Sequence, residues 1–320
     1  MPSGMRLRWT NAGGNMNSSP LFATKDLLLL FYLFPFRILA EMLPAKILRR
    51  IGSLMVHLYG ALAVGKQRDI EERLRLAFKD TVEGKEIEKL AKQYILNAGL
   101  KDVDDMILNR LTREELLQCS QMIGLENLER ALSFGKGVVL VSGHFFANRV
   151  GKRFLSEIGF PVLSVRKSSS RHPALGRLAT KHLKSRYVNF VNEVVRDYVF
   201  IEDKDCTLKI LARLRGNGLV DIHVDGHSSY HLMEYPFLGR KRSFPSGFLR
   251  IVYLSGAAVV PMLCIGDSGS FTIFFEEMVQ FIKTSDQETF VSKNLPRIVE
   301  KLEYQVWEHA DQWELWGIKL

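Results

Sequence analysis

The chain has 320 residues, of which 47% are hydrophobic, 25% charged and 10% aromatic, values that exclude a disordered, collagen-like or disulfide-stapled protein. At this length it can bury a full core as one large α/β domain or two small ones. The 44 Lys and Arg outnumber the 35 Asp and Glu for a net charge of +9, and the excess is concentrated: residues 144–190 hold ten basic residues against one acid, Glu157, whereas residues 267–320 hold ten acids against five bases. A positive middle third attracts nucleic acid, anionic lipid, or an acidic carrier or phosphorylated substrate. Cys119, Cys206 and Cys264 are far apart and in no metal or redox spacing, which suits a reduced compartment.

Taken in order, residues 1–24 are rich in Gly, Asn and Ser, with Arg6 and Arg8 and no acid before the next apolar run. They read as a flexible basic tail rather than a cleavable signal. Residues 27–36 are strongly apolar, but Arg37, Glu41 and Pro44 end the run well short of the roughly 20 residues a spanning helix needs. A second short apolar run covers residues 51–64. Joined by Pro44, Lys46, Arg49 and Arg50, the two runs predict a helical hairpin over residues 25–64 lying in a membrane interface, basic residues toward anionic headgroups. A pair of ordinary core helices is the competing reading.

Residues 65–320 form the expected α/β domain. Up to about residue 130 the pattern is helical, with Ile70, Leu74, Ala77 and Phe78 at helical spacing and Ile87, Ala91, Tyr94 and Ile95 repeating it. After Gly135 the texture changes. The run Gly137-Val-Val-Leu-Val-Ser-Gly143 is short, apolar and bounded by glycines, as a buried strand is. Further strands are expected at residues 161–165, 218–224, 258–265 and 270–275. Helices are expected near 145–158, 173–186, 204–215, 246–255 and 288–312. Strands alternating with helices predict a mixed, mostly parallel sheet flanked by helices.

In such sheets ligands gather beyond the carboxyl ends of the strands. The first strand ends at Ser142-Gly143-His144, which delivers an imidazole to that edge, where its pKa near 6.5 suits a general base. A histidine capping a helix would look the same. His223, His227 and His231 recur every four residues around Asp221 and Asp225, inviting a metal reading. That spacing makes a ligand face only on a helix, and residues 219–224 read as a strand, on which His223 and Asp225 share a face and His227 leaves it. No metal site is expected. Gly-x-Gly-x-x-Gly, Gly-x4-Gly-Lys-Ser/Thr and Gly-x-Ser-x-Gly are all absent from the sequence, which disfavours a dehydrogenase, an NTPase and a standard α/β-hydrolase. Residues 166–186 lack the aromatic interleaving of a nucleic-acid binder, so nucleic acid is not an expected partner.

The block Gly143-His144-Phe145 on its apolar strand resembles the catalytic block of the late acyltransferases of lipid A and lipopolysaccharide biosynthesis, within the lysophospholipid acyltransferase-like group. Other blocks follow in matching order: Arg166 with the basic stretch 173–186, the turn and strand 214–225, residues 236–247 and 255–261, and Gln312-Trp313 with Trp316 near the end. Arg68 and Phe78 bound a matching helix upstream. The likeness spans residues 26–317. It implies a peripheral or monotopic enzyme on the cytoplasmic face of a bacterial inner membrane. Such an enzyme carries an acyl chain from an acyl carrier protein or coenzyme A thioester to a hydroxyl of a glycolipid or lysophospholipid, with no resident cofactor. Membrane lipids and the acyl donor are its implied partners; the oligomeric state is left open.

In that family the histidine belongs to a His-x4-Asp/Glu motif whose carboxylate orients the ring. Here the position is Arg149. A cation beside His144 would favour the neutral imidazole but oppose the charge that develops on it. Three readings stay open: Asp225 supplies the missing acid, Asn148 holds the ring through a neutral hydrogen bond, or the protein is a catalytically altered lipid-binding relative that acts as a scaffold in envelope assembly. Arg149, Arg166, Arg240 and Arg242, with Lys241, are the candidate binders of acceptor phosphate or donor phosphopantetheine.

Overall fold

A computed structural model describes residues 42–167, 197–226, 231–267 and 269–317. All of them belong to one compact unit. The tail of residues 1–24, the apolar run 27–36 and the expected helix 173–186 lie outside the described residues.

The chain enters on helix α1 (Ala45–Leu62), α2 (Val64–Phe78) and the long α3 (Gly84–Leu108). The α1 stretch, grouped by its sequence with the apolar hairpin, packs on α3. A Cβ on Gly52 would lie 2.6 Å from Val103, and one on Gly99 2.7 Å from Val56, so each small residue receives a branched side chain from the facing helix. Arg49 pairs with Asp104 at 2.8 Å. The opposite side of α1 exposes Ile47, Ile51, Leu54, Met55, Leu58 and Tyr59, an apolar stripe at helical spacing. Among the described residues no single helix is long and apolar enough to cross a membrane.

After α4 (Arg113–Gln118), β1 (Ser120–Ile123) and α5 (Leu125–Leu132), the α/β alternation begins: β2 (Val138–Ser142), α6 (Asn148–Glu157), β3 (Val162–Arg166), β4 (Tyr198–Phe200), α7 (Cys206–Arg215) and β5 (Leu219–His223). A hairpin, β6 (Leu232–Phe237) and β7 (Arg240–Pro245), leads to α8 (Gly247–Ser255), β8 (Ala258–Asp267), β9 (Ser270–Phe275) and α9 (Gln287–Glu308), followed by two short 3-10 turns, Ala310–Gln312 and Glu314–Gly317. The seven-stranded sheet has the order β1-β9-β8-β2-β5-β3-β4. Its neighbours are parallel except β8 and β9, so the expected mixed, mostly parallel sheet flanked by helices is the fold.

Of the five strands that were legible, β2, β5 and β8 are buried along most of their length, β3 over its first three residues, and β9 alternates buried with partly exposed residues. Every residue of β2 is buried, which is why it reads as an unbroken apolar run. The elements not foreseen are short or at an edge. β1 lies inside the stretch expected to be helical throughout, and β1 and β4 form the two edges of the sheet with four and three residues, too few for a period of two to show. The β6–β7 hairpin turns on Leu238 and Gly239, with φ of 51° and 71°; two successive left-handed residues are what a tight hairpin demands, and Leu is unusual in the first place. The Leu238 N–H is held by the Glu303 carboxylate of α9.

Candidate active site

The central pair sets the site. β2 and β5 run side by side with Ser142 opposite His223, so both strands end at the same level and the following residues meet above the sheet. Gly143 is required there, because a Cβ would lie 2.6 Å from the Leu302 side chain and 3.2 Å from an Asp225 carboxylate oxygen. That close approach brings His144 onto Asp225. His144 Nδ1 lies 2.5 Å from Asp225 Oδ1. The His144 backbone N–H donates to Asp225 Oδ2 at 2.7 Å. Trp313 Nε1 donates to the same oxygen at 2.8 Å.

Asp225 is fully buried. Burial alone would raise its pKa, but the charge and hydrogen bond of His144 outweigh it and hold the carboxyl well below its usual range. An ionised carboxylate only accepts, so Nδ1 carries the ring proton and Nε2 keeps its lone pair. For the imidazole, burial opposes protonation, and the Asp225 charge and hydrogen bond overcome it, so His144 titrates above its ordinary value. With its side chain 33% exposed, the ring is a base with a fixed tautomer that substrate can reach.

Arg149, at the family's carboxylate position, makes an ion pair with Asp105 of α3. His144 is not kept neutral by a neighbouring cation, as the sequence suggested; the Asp225 charge and hydrogen bond prevail and the imidazole's pKa rises. Asn148 does not reach the ring as an orienter: its amide donates to the Gly143 carbonyl. Arg166 ends β3 on the same sheet edge, stacked over Tyr198 at 5.2 Å. Arg240 is exposed on the hairpin. Arg242, expected to contact substrate, is buried instead; it donates to the Asp225 backbone carbonyl at 2.8 Å and lies over the Trp313 ring at 5.1 Å. It braces the turn that carries Asp225.

A second charged cluster underlies the first, and sequence reasoning missed it. Lys152 of α6 reaches Asp221 at 2.5 Å and His223 Nε2 at 3.2 Å, while Ser142 donates to Asp221 at 3.2 Å. The signal was period two: Asp221 and His223 share the face of β5 that α6 covers. Burial, and after it the neighbouring Lys152 charge, pushes the His223 imidazole well below its ordinary value. Its ring meets that of His144 edge-on, with centroids 4.4 Å apart. His144, His223 and Asp225 bring ligand atoms within 4.8 Å of one another, a grouping close enough to consider as a metal cage. The adjacent Lys152 ammonium opposes a divalent cation there, and Asp225 already accepts three hydrogen bonds. His227 lies outside the described residues, and His231 is exposed.

The family model described as bacterial lipid A biosynthesis acyltransferase matches residues 18–316, and the chain belongs to that family. No curated protein matches the sequence. Among solved structures, the 1-acyl-sn-glycerophosphate (LPA) acyltransferase PlsC from Thermotoga maritima matches at 14% identity and a TM-score of 0.34, covering 80% of this chain and 99% of that one.

Proposed function

We propose that this member of the lipid A biosynthesis acyltransferase family carries an acyl chain from an acyl carrier protein or coenzyme A thioester to a hydroxyl of a glycolipid or lysophospholipid. His144 is the general base and Asp225 the carboxylate that orients it. The observation that carries the reading is the 2.5 Å contact between His144 Nδ1 and Asp225 Oδ1. It supplies, from the turn that follows β5, the group that the motif lacks at Arg149.

His144 Nε2 takes the proton of the acceptor hydroxyl as that oxygen attacks the thioester carbonyl. The tetrahedral oxyanion collapses, the carbon–sulfur bond breaks, and the departing thiolate takes the proton from Nε2. Ester and thiol are the products. Asp225 stays ionised and stabilises the imidazolium between the two transfers. Arg166, on the same sheet edge, and Arg149, in the first turn of α6, offer forked donors to a phosphate of either substrate. The reaction takes place at the cytoplasmic face of the inner membrane; the exposed apolar stripe of α1 supports that location, since such a face lies favourably in an acyl–headgroup boundary. The scheme needs no metal and no cofactor beyond the thioester.

The test is transfer by the purified full chain, in lipid vesicles, from acyl carrier protein and coenzyme A thioesters to lysophospholipid and lipid A precursors, with products read by mass spectrometry. Product from the wild type and none from His144→Ala is the expected outcome. No transfer with any donor, while lipid still binds, would instead favour the scaffold reading.

A further inference from the structure

The C-terminal strap of residues 309–317 holds the catalytic loop. Phe145 and Trp313 form an antiparallel bridge, the Phe146 N–H donates to the Gln312 carbonyl at 3.0 Å, and the Glu314 N–H donates to the His144 carbonyl at 2.7 Å. Gln312 Nε2 ties the strap to β8 through the Gly266 carbonyl at 2.9 Å. Trp313 is fully buried, and a buried indole N–H needs an acceptor. The acceptor it has is the carboxylate of the dyad, at 2.8 Å.

We infer that Trp313 is a positioning residue for acyl transfer, its indole N–H fixing the second oxygen of Asp225 so that the first is aimed at His144 Nδ1. The inference rests on the reading of His144 as the base.

A carboxylate on a turn can rotate about its terminal torsion, where the energy wells are broad. The bond to the imidazole engages Oδ1 and leaves Oδ2 to set the angle. Oδ2 receives the His144 backbone N–H and the indole. The indole comes from an element far along the chain, and the Arg242 guanidinium lies over its ring, 5.1 Å from the centroid. A donor on Oδ2 also draws off negative charge. Without it, more of that charge falls on His144 and stabilises the imidazolium of the resting enzyme. The base is then more often already protonated.

The experiment compares Trp313→Phe with Trp316→Phe. Both keep an aromatic ring and lose one buried indole N–H, but that of Trp316 donates to the Ala310 carbonyl at 2.9 Å and not to the carboxylate. The His144 pKa is measured by NMR on the substrate-free full chain with labelled histidine. Steady-state transfer is measured with an acyl thioester donor and a lysophospholipid. Loss of one hydrogen bond to a charged group is expected to raise the His144 pKa by about one unit in Trp313→Phe. It should lower kcat roughly tenfold with KM little changed, while Trp316→Phe moves neither. An unmoved His144 pKa in folded Trp313→Phe overturns the inference, whatever happens to the melting temperature. If Trp313→Phe does not fold, site-specific replacement of Trp313 by its sulfur isostere, 3-benzothienylalanine, gives the same readout with the shape preserved. Failure of the base reading is separate: it would show as transfer surviving His144→Ala, a result the NMR titration does not depend on.

Discussion

Replacing Asp225 by Asn tests the dyad most directly, because the surrounding donors dictate how the new amide must sit. Two N–H groups, from the His144 backbone and Trp313, point at the position of Oδ2 at 2.7 and 2.8 Å. The amide oxygen must occupy that position, since an NH2 group there would oppose two donors. The NH2 group then faces His144 Nδ1, which becomes an acceptor, and the ring proton moves to Nε2. The imidazole keeps its place but has the wrong tautomer to take a proton from substrate. In a serine-protease triad the equivalent change costs about 10⁴ in kcat. A loss of 10³ to 10⁴, about 4 to 5.5 kcal/mol in barrier, is expected here by the same logic. The assay is thiol release from an acyl thioester in the presence of lysophospholipid, with circular dichroism to show that the variant is folded. A folded Asp225→Asn enzyme retaining more than a tenth of wild-type kcat would refute the argument.

Four further outcomes follow from the same geometry. Activity requires neutral His144, whose pKa is raised, so the acid limb of kcat/KM should lie above pH 6.5 in a pH–rate profile; Asp225→Asn, having lost the carboxylate, should move any residual limb downward. The linked stability runs the other way: the His144 contribution is full below its unfolded pKa of about 6.5 and is lost as pH rises through the raised folded value, while that of Asp225 is lost in acid, below about pH 3.9. Lys152→Met leaves Asp221 buried and without its cation, and denaturant unfolding should show a loss of about 3 to 5 kcal/mol, largely recovered in Lys152→Met/Asp221→Leu. Gly143→Ala places a methyl 2.6 Å from Leu302 and 3.2 Å from Asp225 Oδ2, which should cost about 1 to 3 kcal/mol in thermal unfolding and depress kcat by displacing the carboxylate.

The central strands and His144 were legible because burial on both faces leaves a continuous apolar run, and because a glycine-bounded strand end has a known place in such sheets. Asp225 could be named only as one of two candidate residues, beside Asn148. What selects it is the β2–β5 register, a pairing across residues that sequence periodicity does not reveal. Trp313 was visible only as part of a terminal block without a role, since nothing local says that residues 312–314 return to the loop at 143–146. Arg242 misled for a related reason. A cation that directly follows exposed Arg240 and Lys241 reads as surface, but alternation along β7 turns it inward against Phe237 and Phe244.

The separation of 81 residues between His144 and Asp225 also has a kinetic meaning. A base and carboxylate five positions apart on one loop and helix turn assemble with the local structure and can persist when the rest of a protein loosens. Here the pair exists only once two parallel strands have paired in register and the C-terminal strap has closed over them, contacts of high sequence separation that form late and slowly. Activity should therefore be among the last properties regained on refolding. On heating it should vanish with the cooperative loss of the sheet rather than ahead of it, which makes catalysis in this chain a reporter of global folding.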